Sequence, residues 1–520
     1  MSKINFQSNL GILTNNAILL GAIISASLVF RFYFFPFGIP LVLDAFNYFW
    51  YASDLVLLGR VPDSYTFANN GWPLFVSLIL SLMKANSMIM QMEMQRIITV
   101  IVSALTVVPV YFLCRRFVEN RFALIGATLF AFEPRLIQDS LSGLNNSLYI
   151  ALATCSLVLF LSSKKNARYY SFALIGVASL VRSEGMFLFF ALSIIYLLNY
   201  RKDRKAMIRY GSLLLIFVII IAPIAVIRIQ TTGSDALTSR IVTSTSEIIV
   251  SNSSSQDKIF NYISNGVITF SKFLVWDMIP IFIFFIPVGI FLIFKTRNFE
   301  KNTIILVLFI TSIPTFYAYS VSAMDAKYFY YLYPLFCVLS VLAIKRYVGF
   351  VSNSKILFFF ILVGIIIGSI IFLDLKLVHN DHDKEAAILS RYIVDNAKGV
   401  NNYYPEVAFV FPAEVEKQWP ILNSSFKAQL PVLPTEEFHS LKEFINFNKN
   451  KGLTHIVTDD NNKTPEFIRD VFFHPENYTY LDLVFDYREN GFTSYHVKVY
   501  KINYEKFNQL NNLNSNMNIN

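Results

Sequence analysis

Along its first 373 residues the chain alternates between apolar windows of roughly 15 to 21 residues and short polar connections, close to the ~20 residues that carry a helix across ~30 Å of hydrocarbon. The windows are 17–35, 95–113, 122–137, 146–162, 169–182, 185–199, 210–229, 274–294, 303–320, 328–344 and 355–373. They predict a polytopic α-helical membrane protein with about 11 spans. The apolar segment 72–83 is too short for a crossing and predicts an interfacial or re-entrant helix within a long first outer loop, 36–94. The first window is too long for a removable signal peptide and lacks its small-residue cleavage site, so it predicts a retained helix.

With 72–83 left out of the count, every second short connection is basic. Arg115, Arg116 and Arg121 stand in the first; Lys164, Lys165 and Arg168 in the second; Arg201, Lys202, Arg204, Lys205 and Arg209 in the third. Lys295, Arg297 and Lys301, then Lys345, Arg346 and Lys355, complete the series. The positive-inside rule then predicts a cytoplasmic N-terminus and, after an odd number of crossings, an extracytoplasmic C-terminus. Asn-x-Ser/Thr triplets at Asn145, Asn252, Asn423, Asn462 and Asn477 all fall outside on this topology, although chance supplies many in an Asn-rich chain.

From about Leu377 the periodicities are those of a soluble domain. Helical spacing over 384–396, a strand over 406–412, a helix over 441–452 stopped by Gly452 and a strand over 454–459 lead into the alternating runs YLDLVFDY and YHVKVYKI, a hairpin around ENGF. The expected organisation is a multispanning module over 1–375, a soluble extracytoplasmic α/β domain over 376–506 and a disordered Asn-rich tail over 507–520.

Composition agrees with the pattern. The chain is 55% hydrophobic and 15% charged, against roughly 25% charged in soluble domains. A formal charge of +9 raises nucleic acid as a partner, but the excess sits mainly in the topological connections, so nucleic acid is not expected. The three cysteines, Cys114, Cys155 and Cys337, lie in or beside apolar windows and leave the soluble part no disulfide to form.

Candidate chemistry gathers in four outer connections. In DAFNYFWYASDLVLLGR, residues 44, 48, 51 and 55 share one helical face, which sets the Asp44 carboxylate beside Tyr48 and Tyr51; Asp before a helix is also an N-cap. Asp54 and Asp63 read as solvated or turn residues. EPRLIQDSLSGLNNS places Glu133, Arg135 and Asp139 at a span end, where charge is costly and marks function or an anchoring pair. The LVRSEG hairpin offers Arg182 to an anionic headgroup, or pairs it with Glu184. Asp325 and Lys327 stand just before a span, where Lys327 either contacts a lipid phosphate or snorkels.

Taken in order, these segments resemble the GT-C fold, the multispanning glycosyltransferases that use polyprenyl-phosphate sugars, and in particular the protein O-mannosyltransferase and aminoarabinose transferase branch. The likeness, over about residues 10–375, lies in the first-loop acid with Tyr and a turn (Asp44, Tyr48, Leu58, Gly59) and in Pro73-Leu74 opening an interfacial helix. It continues in a span beginning at Arg96 and ending CRRF, in LVRSEG, and in Lys327-Tyr328 before Pro334. The resemblance implies that Asp44 is the catalytic carboxylate, that Lys327 and Arg182 hold the donor phosphate, and that Arg96 lies near the donor groove. Many relatives carry an acid after the Ser-Gly-Leu turn where this chain has Asn145 and Asn146, so Asp139 or Glu133 substitutes or the role is missing. A divalent metal, which favours clustered oxygen ligands, is correspondingly doubtful and no cofactor is assigned. The Trp-Trp-Asp-Tyr-Gly signature of oligosaccharyltransferases is absent.

The implied activity is a hexosyl- or pentosyltransferase with Asp44 and Asp139 as catalytic acids. Tyr48, Tyr51, Arg96, Glu133, Arg135, Arg182, Glu184, Asp325, Lys327 and Tyr328 would be its substrate-binding residues. The competing reading is a polytopic transporter or lipid flippase, which predicts internal repeats and midspan polar residues; no repeat is evident and the ionisable residues gather at outer span ends.

Overall fold

The computed structural model describes the chain except residues 1, 64, 66–68, 84–87, 165, 234, 236–255, 296–297, 322–323, 350–353, 402–431, 463 and 518–520. It divides into two compact units, one of residues 1–35, 48–84 and 94–373, the other of residues 36–47, 85–93 and 374–520.

The first unit is helical. Its elements are α1 (Ser2–Tyr33), α2 (Leu43–Leu58, shared with the second unit), α3 (Gly71–Leu82), α4 (Met88–Leu105), α5 (Val107–Arg115), α6 (Asn120–Ala131), α7 (Pro134–Leu141) and α8 (Asn146–Phe160). Then come α9 (Ala167–Val181), α10 (Gly185–Tyr200), α11 (Arg204–Thr232), α12 (Gln256–Met278), α13 (Ile286–Lys295), α14 (Phe299–Ser320), α15 (Tyr333–Val348) and α16 (Ser354–Asn396). α16 belongs to the first unit up to Leu373. Large apolar side chains such as Val29, Leu215, Ile219, Phe291, Phe309 and Phe360 are exposed on these helices. Such surface suits hydrocarbon rather than water as the surrounding solvent.

Among the described residues five helical stretches are long and apolar enough to cross a membrane: 16–33, 89–115, 204–232, 299–320 and 326–348. Three other apolar helices, α8, α9 and α10, have 15 or 16 residues. At 1.5 Å per residue each covers about 23 Å, short of the hydrocarbon thickness.

Four predicted spans are not continuous α-helices: 95–113 turns at Thr106 between α4 and α5, and 328–344 opens in a 3-10 turn, Ala326–Leu332, before α15. The window 122–137 breaks after Ala131, because Glu133 and Pro134 start a new helix: the Glu133 carboxylate accepts from the Arg135 N–H and Pro134 occupies the first turn. The window 274–294 falls across a 107° bend between Tyr262–Met278 and Phe282–Lys295. The short segment 72–83 is the 12-residue α3.

Among the described residues the second unit holds a five-stranded sheet of order β2-β1-β3-β5-β4, with β1 Val400–Asn401, β2 Val432–Leu433, β3 His455–Asp459, β4 Leu481–Asp486 and β5 Val497–Ile502. β1 runs parallel to β2 and β3, while β5 is antiparallel to both β3 and β4. β3 is buried along all five residues, and its alternation divides the core. Val457, Val497 and Val499 pack with Ala386, Leu389 and Ile393 of α16; Ile456, Tyr500 and Ile502 pack with α17 (Leu441–Asn448) and α18 (Glu466–Phe473). Gly452, at φ +92, ends the turn after α17 in the left-handed region that a glycine adopts without strain. The strand expected over 406–412 lies outside the described residues, as do Asn252 and Asn423. The stretch expected to be a disordered tail begins instead within α19 (Tyr504–Met517), tied down by the buried Phe507.

Candidate functional site

The LVRSEG hairpin joins α9 to α10, and two glycines let it sit where it does. A Cβ on Gly71, at the start of α3, would come within 2.7 Å of the Leu180 and Val181 backbone, and one on Gly185 within 2.6 Å of the Ser179 nitrogen. Arg182 leaves α9 in extended conformation and points into a buried polar cluster. Its guanidinium donates to Glu184 at 2.5 and 3.3 Å, to the Asn145 amide oxygen at 3.4 Å and to the Asn146 amide oxygen. Of the two readings open for this arginine, the Glu184 pair is realised, and two asparagines join it.

Asn146 works in both directions. Its oxygen accepts from Arg182, and its nitrogen donates to the Asp139 carboxylate at 2.6 Å. Asn145 donates to the Val181 carbonyl at 3.0 Å and so ties the start of α8 to the end of α9. Burial pushes the Asp139 carboxyl up to about 6; the Asn146 hydrogen bond and the positive charges of Arg182 and Lys327 oppose the shift, while Asp325 adds to it. Lys327 pairs with Asp325 at 3.1 Å, and the Asp325 carboxylate caps the following 3-10 turn, Ala326–Leu332, through the Lys327 N–H at 2.9 Å. Tyr328, in that turn, is half-buried and meets Tyr319 edge-on.

Tyr48 and Tyr51 reach the same neighbourhood through two asparagines before α3. Asn69 donates to the Tyr48 hydroxyl at 2.9 Å and accepts from the Ser183 N–H at 3.3 Å, while Tyr51 donates to Asn70 at 2.8 Å. Beyond them lies a group the sequence reading did not single out. Arg228, fully buried on α11, donates to the Tyr65 carbonyl at 2.5 Å and lies beside Tyr51, whose ring stacks on Tyr65. The Tyr65 hydroxyl donates to Asp54 at 2.8 Å. Asp54, expected to be solvated, is 4% exposed, and burial raises its carboxyl above the usual range. The available signal for Arg228 was a lone arginine in the apolar run IAVIRIQ.

Glu133 and Arg135 go elsewhere. Arg135 contacts Asp277 at 3.3 Å, donates to the carbonyls of Trp276 at 2.6 Å and Ile279 at 2.5 Å, and lies over the rings of Trp276 and Phe372. This is the anchoring arrangement: the guanidinium caps the Ile279 and Trp276 carbonyls at the bend after α12, where the Trp276 carbonyl also accepts from the Ile279 N–H at 3.2 Å. Arg96 is buried on α4 between Gln95, which donates to the Gly143 carbonyl at 2.8 Å, and Thr99, which donates to the Ser140 carbonyl at 2.5 Å; α4 thus holds the connection that carries Asp139. Asp44 is exposed in the first turn of α2, one residue inside the helix rather than at its N-cap, and falls in the second unit. The two acids expected to be catalytic therefore belong to different units. Among the described residues no three His, Cys, Asp or Glu side chains form a group able to hold a metal ion.

Residues 72–227 match the family described as Dolichyl-phosphate-mannose-protein mannosyltransferase. No curated protein sequence matches the chain. Among solved structures it is similar to the Archaeoglobus fulgidus oligosaccharyltransferase in the apo form, with TM-score 0.55 and 12% identity over 85% of this chain and 69% of that one. It is also similar to ArnT from Cupriavidus metallidurans bound to undecaprenyl phosphate, with TM-score 0.51 and 11% identity over 94% and 98% of the two chains. A third similar structure is A. fulgidus AglB in complex with an inhibitory peptide and a dolichol-phosphate, with TM-score 0.51 and 13% identity over 85% and 69%. At these identities the likeness is one of fold, and the fold is GT-C.

Proposed function

We propose that this protein is a membrane glycosyltransferase that moves a hexosyl or pentosyl group from a polyprenyl-phosphate donor to an acceptor on the extracytoplasmic face, with inversion. The observation that carries the reading is the buried Asp139–Asn146–Arg182 relay, with Lys327 and Asp325 within electrostatic reach, in a GT-C fold. The matches to the mannosyltransferase family and to proteins bound to dolichol-phosphate or undecaprenyl phosphate support a lipid-linked donor. None of them supports the transporter or flippase reading.

In the proposed reaction an acceptor hydroxyl attacks the anomeric carbon. The new carbon–oxygen bond forms as the bond to the phosphate oxygen breaks, and the lipid phosphate leaves with the electron pair. A carboxylate, Asp44 or Asp139, takes the acceptor's proton. Arg182 and Lys327 stabilise the departing phosphate at a boundary where low dielectric strengthens each contact. The membrane part carries about 11 crossings with the N-terminus inside, and the α/β domain over 376–506 stands outside and helps select acceptors.

The test is turnover by purified protein in liposomes containing a polyprenyl-phosphate sugar, followed as released lipid phosphate. Wild type is expected to turn over, and Asp44→Asn or Asp139→Asn to fold but lose activity. Full turnover in both variants would remove both acids from the mechanism, and no turnover by wild type with any donor would end the transferase reading.

A further inference from the structure

The ends of three helices converge on a cleft of about 340 Å³ that the proposed reaction does not use. It is lined by Lys295 in the last turn of α13, Lys301 in the first turn of α14, and Lys345 and Arg346 in the last turn of α15, with Leu292, Leu342 and Gly349. Leu292 and Leu342 thus supply apolar lining beside four cationic side chains. On α13, Phe291 stands one turn before Lys295 on the same helical face and is 67% exposed, so apolar surface continues from the cleft along the helix.

The cleft and the Asp139–Arg182 cluster lie at opposite ends of the same helices. α14 has 22 residues, and from Lys301 to its end at Ser320, before the connection carrying Asp325 and Lys327, it runs about 30 Å. α15 returns from that connection to Lys345 and Arg346. The two sites are thus about one hydrocarbon thickness apart.

Lysines in a helix's last turn also complement its dipole, and Lys345 has an ion-pair partner in Glu119 at 2.8 Å. That explanation serves each helix alone. The positive-inside rule places all four cations at the inner ends of their helices, and Glu300 in the first turn of α14 complements that dipole; neither fact accounts for the cations lining one cleft together with Leu292 and Leu342.

We propose that this cleft binds the headgroup of an anionic phospholipid of the leaflet opposite the catalytic cluster, its phosphodiester among Lys295, Lys301, Lys345 and Arg346 and an acyl chain along Leu292 and Phe291. Basic clefts between spanning helices recognise anionic headgroups in this way, through charge at the mouth and hydrocarbon below it. The proposal rests on the membrane reading but not on the transferase chemistry, and its test needs no sugar donor.

The experiment is native mass spectrometry and thermal unfolding of the full-length protein in detergent. It is titrated separately with phosphatidylglycerol, phosphatidylcholine, polyprenyl phosphate and inorganic phosphate. Phosphatidylglycerol is expected to stay bound and raise Tm, and phosphatidylcholine to do neither. Lys295→Gln with Lys301→Gln is expected to weaken phosphatidylglycerol about tenfold or more, with Tm in its absence unchanged. Lys345→Gln with Arg346→Gln provides a second pair should the first fold poorly. Undiminished phosphatidylglycerol binding in a folded pair variant would overturn the proposal. So would equal stabilisation by inorganic phosphate, which would mean an anion site with no lipid selectivity, or tighter cleft-dependent binding of polyprenyl phosphate, which would make it a second donor site.

Discussion

The Asn146 amide nitrogen lies 2.6 Å from the Asp139 carboxylate, while the oxygen of the same amide accepts from Arg182. One neutral side chain thus stands between a carboxylate and a guanidinium and orients both. Burial raises the Asp139 carboxyl to about 6, and the Asn146 hydrogen bond and the charge of Arg182 work against that rise.

This relationship predicts a pH dependence. If turnover needs ionised Asp139, the rate rises with pH through about 6 and levels off above it. Asn146→Ala removes a hydrogen bond that favours the charged form, so its midpoint moves to higher pH. The pH profile of lipid-phosphate release, compared between the two proteins, checks this; coincident midpoints would detach Asn146 from the titration.

Arg182→Lys keeps the charge but loses the fork that reaches Glu184 and both asparagines. Turnover is expected to fall by tenfold or more, with Tm lowered by a few degrees. Glu184→Gln, which leaves Arg182 its asparagine partners, is expected to be milder. The order of the two variants in a parallel turnover and unfolding assay is the measurement, and equal effects would reduce Arg182 to half of an ion pair.

Adding a methyl group at Gly71 forces the α3 start against the Leu180–Val181 backbone, which cannot move aside like a flexible side chain. Gly71→Ala is expected to destabilise by roughly 1 to 3 kcal/mol through overpacking, and Gly211→Ala, where nothing lies within 4 Å, to be close to neutral. Thermal unfolding in one detergent compares them.

Arg135 is expected to be an anchoring residue. Arg135→Gln leaves Asp277 and two carbonyls without their cation, so Tm should drop sharply while turnover at low temperature survives. Loss of activity at a temperature where circular dichroism shows the variant folded would return Arg135 to the substrate site.

In the second unit His455 is buried on β3, and desolvation, with the charge of Lys501, depresses its imidazole to about 4. Between pH 6.5 and about 4 the unfolded chain binds the extra proton, so stability is full above 6.5 and is lost as pH falls, by up to roughly 3 kcal/mol. Unfolding between pH 7 and 4 should show that loss, and His455→Asn should flatten it.

What the sequence by itself determined is local or compositional. Apolar windows demanded lipid as solvent, and period-two runs such as YHVKVYKI marked the paired strand Val497–Ile502. The order of loose motifs from Asp44 to Pro334 carried the GT-C likeness. Each of these depends on neighbours within a few residues or on chemistry read in order along the chain. Tertiary structure alone decided the partners. Arg182 meets Asn146 across 36 residues, Arg135 reaches the Ile279 carbonyl across 144, and Arg228 reaches that of Tyr65 across 163. Glu133 and Arg135 looked like companions of Asp139 because they are close in sequence, yet α7 turns them toward α12. A charge at a span end is recognisable because placing it there is costly; which opposite group relieves that cost is set by how helices pack, and local periodicity does not record that choice.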